Sequence, residues 1–276
     1  MSPSAPVERP QLMGVVNVTP DSFSDGGRFL DPERAIEHGR ELAAAGAAWV
    51  DVGGESTRPG AAEVPAEEER ERTEPVVRAL AGDGLGVSID TSKLRVAEAA
   101  LDAGATMVND VTAFGAEPGL AELCAQRDCD VVLMHMQGDP RTMQVDPTYD
   151  DVVDDVKSFL SERLDFAISC GIAEERVRLD PGIGFGKTLD HNTELLRRLG
   201  ELGDLGRPLV VGTSRKSFIG KITGRDVEER LGGTTASCVL AYANGAEMLR
   251  VHDVAPVRDA LLVAGAILGV REWATR

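Results

Sequence analysis

The chain has 276 residues, with 46 acidic against 29 basic side chains and a formal net charge of -17, a balance that repels a nucleic-acid backbone. Its 42% hydrophobic and 27% charged residues exclude intrinsic disorder, and a chain of this size buries about 75% of its unfolded surface without needing a disulfide or metal staple. No apolar run reaches the length of a membrane span, and residues 1–11 lack the basic flank and apolar centre of a secretory signal, so a cytoplasmic protein is expected.

In chain order, a short apolar strand pattern at 12–18 is followed by helical spacing over 32–45 (Ala35, Ile36, Leu42) and a second strand pattern at 48–52. An acidic stretch at 67–74 reads as one solvated helix face. Strand patterns recur at 86–89, 107–111, 131–134, 177–179, 209–211 and 247–251, with helical spacing at 93–103 (Val96, Ala97, Ala100, Leu101) and 152–168 (Val156, Phe159, Leu160, Leu164). Gly46, Gly104 and Gly171 each stand just past a helical run, where a left-handed residue closes a helix.

Strand then helix, eight times over, predicts an α/β protein of the (β/α)8 TIM-barrel class. It forms a single domain over 12–276 behind a short N-terminal extension, 1–11. A doubly wound sheet is the competing architecture, but no Gly-x-Gly-x-x-Gly follows the first strand. Cys124, Cys129, Cys170 and Cys238 include no Cys-x-x-Cys pair and read as reduced thiols, mostly buried.

Each apolar run ends on polar residues: Asn17, Asp51, Asp90, Asn109 with Asp110, His135, Asp180, Ser214 with Arg215, and His252 with Asp253. In a barrel these ends converge on the face where barrel enzymes carry their chemistry. Asp or Asn at one strand end is accounted for by capping the next helix, but capping does not call for this mixture of amides, carboxylates and bases at all eight. Asp90, Asn109 and Asp180 suit a flat heterocycle with several N–H donors, since a carboxylate accepts two parallel bonds from a guanidine-like edge. Lys216 addresses the ring from the other side. Arg250 and His252, two apart on the last strand, share a face and offer a fork and a ring donor to an anion such as phosphate or diphosphate.

Two polar, glycine-flanked loops, 17–27 and 53–60, have the composition of lids over a barrel mouth. Phe23 is the aromatic in the first, placed to cover a flat substrate. Ser217 is expected to open the helix after the seventh strand, where free backbone N–H groups favour a carboxylate or phosphate. His135 reads as a packing histidine outside the catalytic set, and 182–186 as a tight turn rather than a phosphate cradle, since it lacks the lysine and hydroxyl spacing of a nucleotide loop.

The segments NVTPDSFSDGG from Asn17, DVGGESTRPGA from Asp51, SIDTSK from Ser88, VNDV from Val108, LMHMQGDPRTMQ from Leu133, LDPGIGFGKT from Leu179, GTSRKSFIG from Gly212 and RVHDV from Arg250 together resemble the dihydropteroate synthases of bacterial folate biosynthesis. The resemblance spans nearly the whole chain. It implies a transferase that joins the methylene carbon of 6-hydroxymethyl-7,8-dihydropterin diphosphate to the amine of 4-aminobenzoate, releasing diphosphate and 7,8-dihydropteroate. It places Asp90, Asn109, Asp180 and Lys216 around the pterin and Thr57, Arg250 and His252 on the diphosphate. Asn17 becomes a ligand of Mg2+. Phe23, Pro59, Phe185, Lys216 and Ser217 line the aminobenzoate side, and Asp21, Asp25 and Arg58, with Lys216, act at the reacting centre.

The same resemblance implies departure of diphosphate ahead of attack by the amine, competition by sulfonamides, and a homodimer through late outer helices. The stretch 254–270 (Val257, Leu261, Leu262, Ala264, Ile267, Leu268) supplies a face for such a dimer, although packing on the barrel explains it equally well. Two other functions compete. A methyltetrahydrofolate:corrinoid methyltransferase is also similar to a pterin-binding barrel but has no diphosphate to hold. A catalytically silent pterin-binding paralogue would have lost Arg58, Lys216 or His252, and all three are present.

Overall fold

The computed structural model describes residues 10–19, 32–56, 61–138 and 142–270. Its eight strands are β1 (Gln11–Asn17), β2 (Trp49–Gly53), β3 (Val87–Asp90), β4 (Met107–Asp110), β5 (Asp130–Met134), β6 (Val177–Asp180), β7 (Leu209–Val211) and β8 (Ala246–Val251). They pair in sequence order, all parallel, and β8 returns to β1 to close the barrel. The helices among these residues are α1 (Pro32–Ala44), α2 (Ala66–Gly82), α3 (Leu94–Asp102), α4 (Gly119–Arg127), α5 (Val152–Ser169), α6 (Leu189–Arg197), α7 (Ser217–Thr223), α8 (Leu231–Ala243) and α9 (Val254–Ile267). The expected barrel forms, with strand ends shifted by a residue or two; β1 starts at Gln11, inside the stretch assigned to the extension.

Local chemistry fixes several of these ends. Asp151 caps α5, its carboxylate accepting from the N–H groups of Val153 at 2.9 Å and Asp154 at 3.1 Å, and Thr188 with His191 forms a reciprocal capping box at the start of α6. Gly46, Gly104 and Gly171 stand two residues beyond α1, α3 and α5 with φ of 109°, 110° and 97°, the positive values expected there.

Alternation along each strand sorts side chains into two cores. Leu12, Val16, Val50, Val52, Val87, Ile89, Val108, Val131, Leu133, Leu179 and Leu249 face outward into the main core beneath the helices. Met13, Met107, Val132, Val210 and Met248 form a second cluster with Trp49 packed against it; their strand positions alternate with the outward set, which puts them inside the barrel. Further along the same strands the inward positions include Asn17, Asp51, Asp90, Asn109, Asp180 and Arg250 towards the mouth at the C-terminal ends.

The acidic stretch of α2 is not one solvated face. Glu69 is only 1% exposed and its carboxylate binds Lys93 Nζ at 2.6 Å, because the helix turns that residue inward against the start of α3.

Candidate active site

The mouth is built by the inward positions of the strand ends. In register they bring together Asn17 and Gly53, then Gly53 and Asp90, then Asp90 and Asn109, with Asp180 beside Met134. A Cβ on Gly53 would stand 3.5 Å from the Asp90 side chain, and one on Gly212 would stand 3.7 Å from both Arg250 Cβ and Lys216 Nζ. Glycines at two of the inward positions thus leave space that larger side chains would fill.

The centre of the mouth is an acid, amide and arginine network. Arg250 donates from Nε to Asp51 Oδ2 and from Nη2 to Asp90 Oδ2, both at 2.6 Å. Asn109 Nδ2 donates to the same Asp51 oxygen at 3.1 Å, which leaves the Asn109 carbonyl as its remaining acceptor. Asp51 is fully buried and one of its carboxylate oxygens has no hydrogen-bond partner. Burial opposes the charge on Arg250, but Asp51 and Asp90 outweigh it and push its pKa up. Burial also pushes Asp90 up, against the pull of Arg250 and helped by the nearby Asp51 carboxylate.

Across the mouth, Asp180 accepts from Gly182 N–H at 2.7 Å. Burial raises its pKa, with Lys216 the strongest opposing influence. Lys216 donates to the Ile183 carbonyl and its ammonium lies 4.7 Å from the centre of the Phe185 ring; burial lowers its pKa to about 8, with Asp180 opposing. Phe185 rides on the 182–186 turn. A Cβ on Gly182, where φ is 68°, would lie 1.9 Å from the His135 carbonyl oxygen, so only glycine allows the turn to fold this tightly against the end of β5.

The His252 backbone N–H donates to Ser214 Oγ at 3.1 Å, and its Nδ1 lies 3.0 Å from the same hydroxyl. Asp180 and His252 therefore sit on one rim, since both close parallel strands at the same end. Ser217 is the first residue of α7 and exposed, as expected.

Four other strand-end groups are engaged outside this central network. Asp110 follows Asn109 by one residue and so faces outward, accepting from Thr112 and Phe114 N–H at 2.8 and 2.7 Å. His135 follows Met134 and packs edge-on against Phe159 of α5, 4.9 Å between ring centres. Arg215 and Asp253 bind each other through two hydrogen bonds of 2.9 and 2.7 Å. Asp51, in contrast, belongs to the central network although the sequence marked it only as a strand end; its inward register was the available signal. Thr57, Arg58 and Pro59, and Asp21, Phe23 and Asp25, lie outside the described residues.

Asn17 ends β1 half-buried and on an inward position, offering a neutral amide oxygen. No group of three His, Cys, Asp or Glu side chains among the described residues is placed to hold a metal. That donor set fits an ion that keeps most of its shell from water and substrate phosphate, as Mg2+ does, rather than one caged by protein.

The family described as pterin binding enzyme matches residues 13–252. The dihydropteroate synthase of Escherichia coli strain K12 is 46% identical over 270 residues, covering 98% of this chain and 95% of its own. A Xanthomonas albilineans dihydropteroate synthase solved with 4-aminobenzoic acid is 49% identical with a TM-score of 0.89, covering 95% of this chain and 94% of that one. The synthase from that organism in complex with 7,8-dihydropteroate is 46% identical with a TM-score of 0.86, over 95% and 94% of the two chains. The chain belongs to the pterin-binding enzyme family, in its dihydropteroate synthase branch.

Proposed function

We propose that the mouth binds the dihydropterin through Asp90, Asn109 and Asp180 and carries out the synthase reaction beside Lys216. One observation carries this reading: buried acceptors from β3, β4 and β6 converge opposite the Lys216 ammonium, with two glycines in the ring between them. Carboxylates whose charged form is disfavoured by burial gain most from a ligand that brings N–H donors, as the 2-amino and ring N–H edge of a pterin does.

The reaction breaks the carbon–oxygen bond to diphosphate, which leaves with the electron pair; the amine nitrogen then bonds the methylene carbon and gives up a proton to solvent. A neutral aromatic amine is a weak nucleophile, so stabilising charge matters more than base strength. Asp90 and Asp180 orient the ring and offset positive charge that develops on it. Arg250 and His252 face the leaving group, with Thr57 expected to join them. Arg250 already spans two carboxylates, so its contact with diphosphate uses the guanidinium edge that Asp51 and Asp90 leave open. Mg2+ would be held at Asn17 and would neutralise charge on the departing diphosphate.

Phe185 and the start of α7 at Ser217 mark the aminobenzoate side, together with Phe23 and Pro59. Asp21, Asp25 and Arg58 complete the reacting centre in this reading. Sulfonamides, which mimic the aminobenzoate, compete there. A homodimer fits the outer helices: Val263 and Ile267 of α9 and Leu240 of α8 are 60% or more exposed, whereas Val257, Leu261 and Ala264 of the same stretch are buried against the barrel. Light scattering tests the dimer. No helix among the described residues is long and apolar enough to cross a membrane, and cytosolic work is consistent with that.

The deciding assay mixes the purified chain with the pterin diphosphate, 4-aminobenzoate and Mg2+ and looks for dihydropteroate by mass spectrometry. Product with Mg2+-dependent diphosphate affinity is expected. Absence of product, or methyl transfer to cobalamin, overturns the reading.

A further inference from the structure

Lys187 is a lysine with 2% exposure, placed directly after the 182–186 turn, and the reaction gives it nothing to do. Its Nζ donates to the Phe185 carbonyl at 2.9 Å and lies 2.8 Å from Nδ1 of His135 and 3.4 Å from the His135 carbonyl. His135 is itself buried and clamped edge-on by Phe159. The lysine therefore fastens the backbone of Phe185 to the end of β5. Other ties hold neighbouring residues of the turn: Asn192 Oδ1 accepts from Gly184 N–H at 2.6 Å, and Tyr149 donates to the Gly186 carbonyl at 2.7 Å. Lys187 is the side chain among the described residues that takes hold of the Phe185 carbonyl itself.

We propose that Lys187 and His135 are a positioning pair that sets the Phe185 ring, and through it the aminobenzoate side of the mouth, without touching either substrate. The inference rests on the assignment of Phe185 to that side. For Nδ1 to receive a Lys187 N–H, the ring proton must stand on Nε2, and burial holds His135 neutral by lowering its pKa to about 3. Burial likewise depresses Lys187, against the pull of Asp180. A buried amine with three acceptors around it is costly to leave half-satisfied, so removing either partner frees the turn rather than merely deleting a contact.

Steady-state kinetics on the full chain with Lys187→Met tests it. The KM for 4-aminobenzoate is expected to rise about tenfold or more, the factor a lost buried hydrogen bond to an ordering group supplies. Affinity for the pterin diphosphate should stay within about twofold, because Asp90, Asn109 and Asp180 are held by other bonds. His135→Asn, which keeps an acceptor near the Nδ1 position, should retain most of the aminobenzoate affinity, and His135→Leu should lose it as Lys187→Met does. The histidine pair of variants decides the matter if Lys187→Met does not fold. An unchanged aminobenzoate KM in Lys187→Met, equal losses for both substrates, or equal behaviour of His135→Asn and His135→Leu would overturn the proposal. An inactive parent chain would instead count against the synthase reading itself.

Discussion

Both ends of the barrel interior are plugged by arginine and aspartate, yet they differ in what is left over. At the foot, where the strands begin, Asp130 forms ion pairs with Arg178 at 3.1 Å and Arg176 at 3.3 Å. Arg178 also lies over the Trp49 ring, and Trp49 Nε1 donates to Gln11 at 3.2 Å. A cavity of about 470 Å³ opens beside them, but its basic residues are spoken for, Arg127 by Asp102 at 2.6 Å and Arg176 by Asp128 at 2.5 Å. At the mouth, one guanidinium serves two carboxylates, a third carboxylate faces a lysine, and two glycines hold the space open. A plug matches its charges; a binding site keeps acceptors in surplus under a low dielectric, where a ligand with the right donors relieves the cost.

The sharpest break of that contrast is Lys216→Ala. Turnover should fall by about a thousandfold, the scale of losing a preorganised charge at the reacting centre, with circular dichroism unchanged. Near-normal turnover would empty the mouth of its assigned chemistry. Arg250→Met should come next, since it strands Asp51 and Asp90 in the interior and costs about 3–5 kcal/mol in chemical denaturation. Arg178→Met at the foot leaves Asp130 with Arg176 and should cost clearly less, with kcat intact. Equal losses would mean the two networks are equivalent.

The pH dependence sharpens the comparison further. Free-enzyme kcat/KM should decline as pH rises through about 8, where burial has brought the Lys216 pKa, because the ammonium is then lost. For stability the sign is opposite. A lysine whose folded pKa lies below its ordinary value costs stability while protonated, and that cost fades as pH rises from about 8 towards 10.5. Lys216→Met should therefore be more stable than the parent at pH 7 and indistinguishable above pH 10.5, as read by thermal melts. The smallest effect belongs to the foot: Gln11→Ala, which removes an exposed partner of Trp49, should cost about 0.5–1 kcal/mol and leave kinetics alone.

Much of this was legible in the chain because period and chemistry are local. Eight short apolar runs, each followed by helical spacing and in three cases by a glycine beyond the helix, suffice to call for the barrel, and parallel strands then put every strand end on one face. The motifs around Asp90, Asn109, Asp180, Lys216, Arg250 and His252 were readable for the same reason. What remained hidden depended on partners far apart in sequence. Asn109 and Asp110 are one residue apart, and only closure of the barrel says which enters the mouth. Glu69 looked like one more solvated acid until α3 brought Lys93 against it. Asp51 and Arg250 stand 199 residues apart, and nothing short of the register between β8, β1 and β2 joins them. Residue type and spacing settle which side chains share a face of a strand or helix; which face turns inward and which charge each group meets are settled by packing between elements, since the interaction energy of buried groups depends on separations that the covalent chain does not constrain.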